Sequence, residues 1–256
     1  MAISTPDDSS RSLAERTGAH AAIVNVSSRE ALSASMVQIA LTHPDIATLV
    51  GAPGNDVMVR VNDGDHHVRR RYSVRSLDDD QATAKLWIST THSGPGADWA
   101  RSVSPGDPVD LIGPRGKIAL DEMADWHLFV GDLTALGAFY RLAESVEAPG
   151  RVIFVVELDS IDDALTPTLV EGIGPTAIFI ERRNRPLGDP SALLAALASF
   201  EVPTGPGHAY LFGEFATVRT VKSALLDRGF DESAIDVKAF WRAGTSNAEH
   251  GEPPKQ

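Results

Sequence analysis

Arg69-Arg70-Arg71-Tyr72-Ser73-Val74-Arg75 sets four cations, an aromatic ring and a hydroxyl in consecutive positions of a chain whose net charge is −12. A strand alternates its side chains between faces, so Arg70, Tyr72 and Val74 share one side and Arg71, Ser73 and Arg75 the other. The ring offers a stacking surface, typically about 0.5–1.5 kcal/mol beyond area burial. The guanidiniums offer bidentate bonds to phosphate, stronger than neutral hydrogen bonds. The pattern suits a flat anionic ligand, and taken alone it equally suits a solvated basic strand edge that resists aggregation.

Outward from this run, residues 21–26, 35–41, 56–61, 84–90 and 108–112 carry β-branched or apolar residues between Gly, Pro, Asn and Asp. With 70–77 they make six short strands, which predicts an antiparallel barrel, interrupted by one helix over 97–103. The rhythm changes after Asp125. Strand-like runs at 127–130, 151–158, 176–181, 208–212 and 235–240 alternate with helical patterns through Glu144 and over 191–199 and 216–228. That alternation predicts a parallel sheet covered on both faces. The expected division is a disordered arm at 1–17, a barrel domain at 18–123, an α/β domain at 124–245 and a flexible tail at 246–256.

Composition removes several classes of chemistry. The chain of 256 residues has no cysteine, which excludes thiolate zinc sites, Cys-ligated iron–sulfur clusters and Cys nucleophiles. Its eight histidines show no metal-ligand spacing, so no metal site is expected. The acidic balance argues against nucleic acid as a partner. No apolar run approaches the roughly 20 residues that span a bilayer, and the polar start lacks a secretory pattern. The expectation is a cytoplasmic monomer whose redox chemistry, if any, resides in an organic cofactor.

The Arg-x-Tyr-Ser-x-Arg block at Arg70, Tyr72, Ser73 and Arg75, together with the closing Phe240-Trp241-Arg242-Ala243-Gly244, resembles the siderophore-interacting protein family. These are flavin-dependent ferric-siderophore reductases related to ferredoxin-NADP reductases. The resemblance implies FAD, with Tyr72 packed on the isoalloxazine, Ser73 near its reactive nitrogen, Arg70 and Arg75 on the diphosphate, and Val74 among the contacts. The Gly-rich turn 91–100 is similar to a second flavin block of that family, with its Gly and Pro rearranged. His92, Gly96 and Ala97 are its candidates, because amides at a helix N-terminus bind phosphate well.

Gly131-Asp132-Leu133-Thr134-Ala135-Leu136-Gly137 follows the first α/β strand, where open parallel sheets bind nucleotides. It resembles the family's Gly-Asp-Glu-Thr-Ala-Leu-Pro, with Leu133 for Glu and Gly137 for Pro. Asp132 and Thr134 are candidates for the nicotinamide, and Tyr72, Ser73 and Thr134 for the redox centre. Arg182 and Arg183 lie where arginines favour NADPH over NADH, with Glu181 beside them. Gly213-Glu214 and Trp241 match further family positions. Arg242 is a candidate for an anionic substrate, as are Arg115 and Lys117 in a Gly-Pro-x-Gly turn that reads equally well as a solvated turn. The implied partner is a ferric siderophore. A reductase with another acceptor, or a siderophore-binding module without turnover, fits the same motifs.

Overall fold

The computed structural model describes residues 5–91, 93–147, 151–165 and 176–245. Packing divides them into two compact units. One holds Tyr140–Ser145 with the described residues up to Leu120, and the other holds Asp121–Phe139 with those from 146 onward.

The first unit is a closed six-stranded antiparallel barrel. Its strands are β1 (His20–Ala31), β2 (Met36–Thr42), β3 (Asp56–Asp63), β4 (His66–Asp78), β5 (Thr83–Ser89) and β6 (Pro108–Arg115), in the order β1-β2-β5-β4-β3-β6 with β6 returning to β1. Alternation fills it: Val24, Ile39, Leu41, Val57, Val59, Val74, Leu86 and Leu111 turn inward and are fully or nearly buried. Each such side chain contributes roughly 1.5–3 kcal/mol on leaving water. Helices α2 (Ile46–Val50) and α3 (Pro95–Ser102) bring Ile46, Leu49, Val50 and Ala100 to the same core.

Two expectations need correction here. Residues 8–17, expected in a disordered arm, form helix α1 (Asp8–Thr17), because Asp7 caps Ser10 N at 2.8 Å and Gly18 closes the end at φ +63°. Ala14 seals the helix on Met58 and Ile112 of the barrel wall. The basic turn expected at 113–117 is partly strand, since β6 runs through Arg115 to pair with Asp56. His66 and His67 begin β4 and pair with Asp63 and Asn62, leaving Gly64-Asp65 as the turn.

The second unit is a five-stranded parallel sheet of order β11-β10-β7-β8-β9. Its strands are β7 (Trp126–Asp132), β8 (Val152–Leu158), β9 (Thr176–Glu181), β10 (Gly207–Glu214) and β11 (Ile235–Trp241). The central strands read as near-continuous apolar runs because both faces are buried. One face is aliphatic, Leu128, Val130, Ile153, Val155 and Leu211, covered by α5 (Ser191–Ser199) and α6 (Phe215–Asp227). The other is aromatic: Phe129 lies 4.8 Å from Tyr210 and 5.3 Å from Phe154, and Phe139 of α4 (Leu136–Ala143) stacks 5.1 Å from Phe212. No described helix is long and apolar enough to cross a membrane.

Candidate functional site

Strand β4 sorts its basic run by face. Tyr72 faces Val57 across the β3–β4 ladder and packs on the barrel core, its ring 5.7 Å from the Trp99 ring of α3 and stacked on it. The Tyr72 hydroxyl is enclosed and has no hydrogen-bond partner among the described residues, and burial raises its pKa above the usual phenol value. A Cβ on Gly96 would come within 2.6 Å of that hydroxyl and 3.3 Å of Arg70 Cγ, so only glycine leaves room in this corner. Arg70 is half-buried and donates to its neighbour's carbonyl, Arg69 O, at 2.9 Å; burial lowers its pKa against the pull of Tyr72 and Asp63. One guanidinium, one orphaned hydroxyl and the first turn of α3 thus converge.

This corner fits the diphosphate side of a flavin dinucleotide. It offers a charge-assisted donor, a neutral hydroxyl and, at Gly96, a backbone amide with no side chain beside it, followed by the amide of Ala97. Val74 turns its side chain into the core, so only its backbone could face a ligand. Arg75 is held bidentately by Glu144, at 2.6 and 2.9 Å, and lies 4.9 Å over the Trp87 ring, all within the first unit. It could meet phosphate only by exchanging that carboxylate. His92 lies outside the described residues.

The opposite face of β4 carries acid–base pairs that sequence reading missed. Ser73 Oγ donates to Asp56 Oδ1 at 2.7 Å, and Arg71 sits 3.1 Å from the other oxygen of this buried carboxylate. Arg69 bonds Ser10 at 2.5 Å and lies 3.5 Å from Asp110, while Arg60 joins Asp7. Arg69 and Arg71 are therefore structural cations. Asp56 stands directly across from Ser73 on one side and Arg115 on the other. Lys117 is exposed.

In the second unit the predicted nucleotide residues gather at the C-terminal ends of three neighbouring strands, the edge where parallel sheets take ligands. Asp132 ends β7 and its carboxylate accepts from Thr134 N (2.9 Å), the Thr134 hydroxyl, Glu214 N (2.8 Å) and Trp241 Nε1 (2.9 Å). Burial raises the pKa of Asp132 and these bonds partly offset it. Gly213 is required beside it, at φ +137° with a would-be Cβ 2.4 Å from Asp132 Oδ2. Glu214 is buried, capping α6 at Thr217 N (2.7 Å) and accepting from Ala243 N (3.2 Å). Arg242 is exposed and lies 4.2 Å over the Phe215 ring.

Leu133 accounts for one departure from the family pattern. Its side chain is buried, where an ionised carboxylate would need a partner to offset desolvation. At the end of β9, Arg182 pairs with Asp159 and Arg183 with Glu181 at 3.1 Å. Arg185 bonds Glu157 at 3.1 Å, a carboxylate whose pKa burial raises. The arginines expected to read a 2′-phosphate thus already hold acidic partners.

Comparison with known proteins agrees with this architecture. The siderophore-interacting FAD-binding domain matches residues 54–118, and the siderophore-interacting protein domain matches residues 124–244. A siderophore utilization protein from T. fusca is 26% identical, with a TM-score of 0.78 over 91% of this chain and 96% of that one. The ferric vibriobactin reductase ViuB of Vibrio cholerae is 38% identical over 69 residues, 27% of this chain and 26% of its own. The NADPH-dependent ferric-chelate reductase of Escherichia coli is 24% identical over 151 residues, 59% of this chain and 57% of its own. The chain spans about half the length of the curated relatives it matches, 54% for a mycobacterial protein and 57% for the Escherichia coli one. With a barrel that matches the FAD-binding domain and a sheet that matches the second domain, the chain belongs to the siderophore-interacting protein family, on a ferredoxin reductase-type fold.

Proposed function

We propose that this chain is an FAD-dependent reductase that takes electrons from NADPH or NADH and delivers them to Fe(III) held in a siderophore, releasing Fe(II) in the cytoplasm. The observation that carries the reading is the corner of Arg70, Tyr72 and Gly96, where a hydroxyl is enclosed with no partner among the described residues beside a half-buried guanidinium. It lies within the stretch that matches the FAD-binding domain. The names of the Vibrio cholerae and Escherichia coli relatives point to the same substrate class.

In this reading Arg70 and the amides of Gly96 and Ala97 hold the diphosphate, Tyr72 packs on the isoalloxazine, and Ser73 stands beside the flavin's reactive nitrogen. Thr134, oriented by Asp132, meets the nicotinamide. Arg115, Lys117 and Arg242 attract the anionic chelate. Bound flavin would supply the redox chemistry, linking a two-electron nicotinamide donor to one-electron ferric acceptors. Hard-oxygen chelators favour the trivalent ion, so reduction weakens their hold. The protein contributes position and electrostatics, and no general base is required.

The test is anaerobic. Protein loaded with FAD should be yellow, bleach on adding NADPH or NADH, and recover colour as a ferric catecholate or hydroxamate is converted to ferrous iron trapped by a coloured chelator. Protein that refuses FAD, or whose reduced flavin leaves ferric chelates untouched, overturns the reading. Recovery with a ferredoxin-like acceptor instead would assign it to the wider reductase class.

A further inference from the structure

Asp56 enters none of the motifs above, yet it is 1% exposed and sits at the start of β3 with charged and polar groups on both flanks. Arg71 lies 3.1 Å from Oδ2, and the Ser73 hydroxyl donates to Oδ1 at 2.7 Å. A serine hydroxyl has one proton and two lone pairs. When a carboxylate takes that proton the bond is charge-assisted and about twice as strong as a neutral one. Ser73 Oγ can then offer other partners only lone pairs.

We propose that Asp56 is a positioning residue that converts Ser73 into an obligate hydrogen-bond acceptor toward the flavin, thereby favouring the reduced cofactor. The inference rests on the reading that FAD binds here with its reactive nitrogen beside Ser73. That nitrogen carries a lone pair in the oxidised ring and an N–H in the reduced one. An acceptor-only Ser73 faces the first with like against like and the second with a hydrogen bond. A serine free to rotate would serve both states equally and leave the balance between them alone. Arg71 belongs to the device because its guanidinium lies 3.1 Å from Oδ2 and leaves Oδ1 to take the serine proton.

The experiment measures the potential of protein-bound FAD by equilibration with reference dyes, in wild type, Asp56→Asn, Ser73→Ala and the double variant. Asp56→Asn should lower the preference for reduced flavin about tenfold, a shift of roughly 30 mV to more negative potential for a two-electron couple. Ser73→Ala should shift it in the same direction, and the double variant should add nothing to Ser73→Ala, since Asp56 acts only through that hydroxyl. A purely structural role would weaken FAD binding and leave the potential of the flavin that remains bound where it was. If wild type takes up FAD and Asp56→Asn has an unchanged potential, the inference falls while the reading of the site stands. If Asp56→Asn does not fold, an unchanged potential in Ser73→Ala is equally decisive against it. If wild type takes up no FAD, both fall.

Discussion

An enclosed hydroxyl without a partner costs a fold about 1–3 kcal/mol, and among the described residues Tyr72 carries such a group beside Gly96. Tyr72→Phe should leave the apoprotein as stable as wild type or slightly more so, while weakening FAD retention; a variant that loses stability without FAD would show that the hydroxyl already has a partner. Arg70→Ala should weaken FAD by about 1.5–3 kcal/mol, the range for a hydrogen bond to a charged group, or roughly ten- to a hundredfold in Kd by fluorescence titration. An unchanged Kd would remove Arg70 from the site. Strand alternation alone separated Arg70 and Tyr72 from their neighbours. The partners of the other arginines were not legible, because pairing Arg75 with Glu144 requires knowing which residues 69 positions apart meet. Asp56 was invisible for the same reason: the register that faces it to Ser73 is a property of the folded barrel.

Single elements were read well where a period had room to repeat and poorly where it did not. The strands of the barrel announced themselves by alternation, whereas five-residue α2 is too short for a helical period. Helix α1 was missed because its anchoring is polar: Ser10 is wholly buried and bonds Asp110, and the Asp7 cap also holds Arg60. Asp7 is kept well below the usual carboxylate range by the Ser10 amide, then by the Ser9 and Ser10 hydroxyls and Arg60. Asp7→Ala should cost about 1 kcal/mol from the lost cap, lowering Tm by roughly 2–4 °C in calorimetry. An unchanged Tm would mean that α1 is held by its apolar contacts alone.

On the scale of the whole chain, pH acts on the second unit through His208. Its ring lies between Asp121 (3.1 Å) and Asp236 (3.0 Å), tilted 33° to the Tyr210 ring at 4.8 Å, with His127 adjacent on the neighbouring strand. Burial works to lower its pKa, but hydrogen bonds to Asp236 and Asp121, with their charges, outweigh it and the net shift is upward from 6.5. A histidine raised on folding stabilises fully below its unfolded value, and that contribution is lost as pH climbs through the folded one. Wild type should therefore exceed His208→Gln in Tm by more at pH 6 than at pH 9, and a gap that widens with pH would mean the ring folds neutral. Saturating FAD should also raise Tm, by about 2.7 kcal/mol of stabilisation at a hundred times Kd; no shift would argue that the cofactor is not bound by the folded chain. The Tyr72 oxygen, without a partner among the described residues, then has a second consequence under the proposed function: a chain holding FAD would open to proteases less readily than the same chain without it.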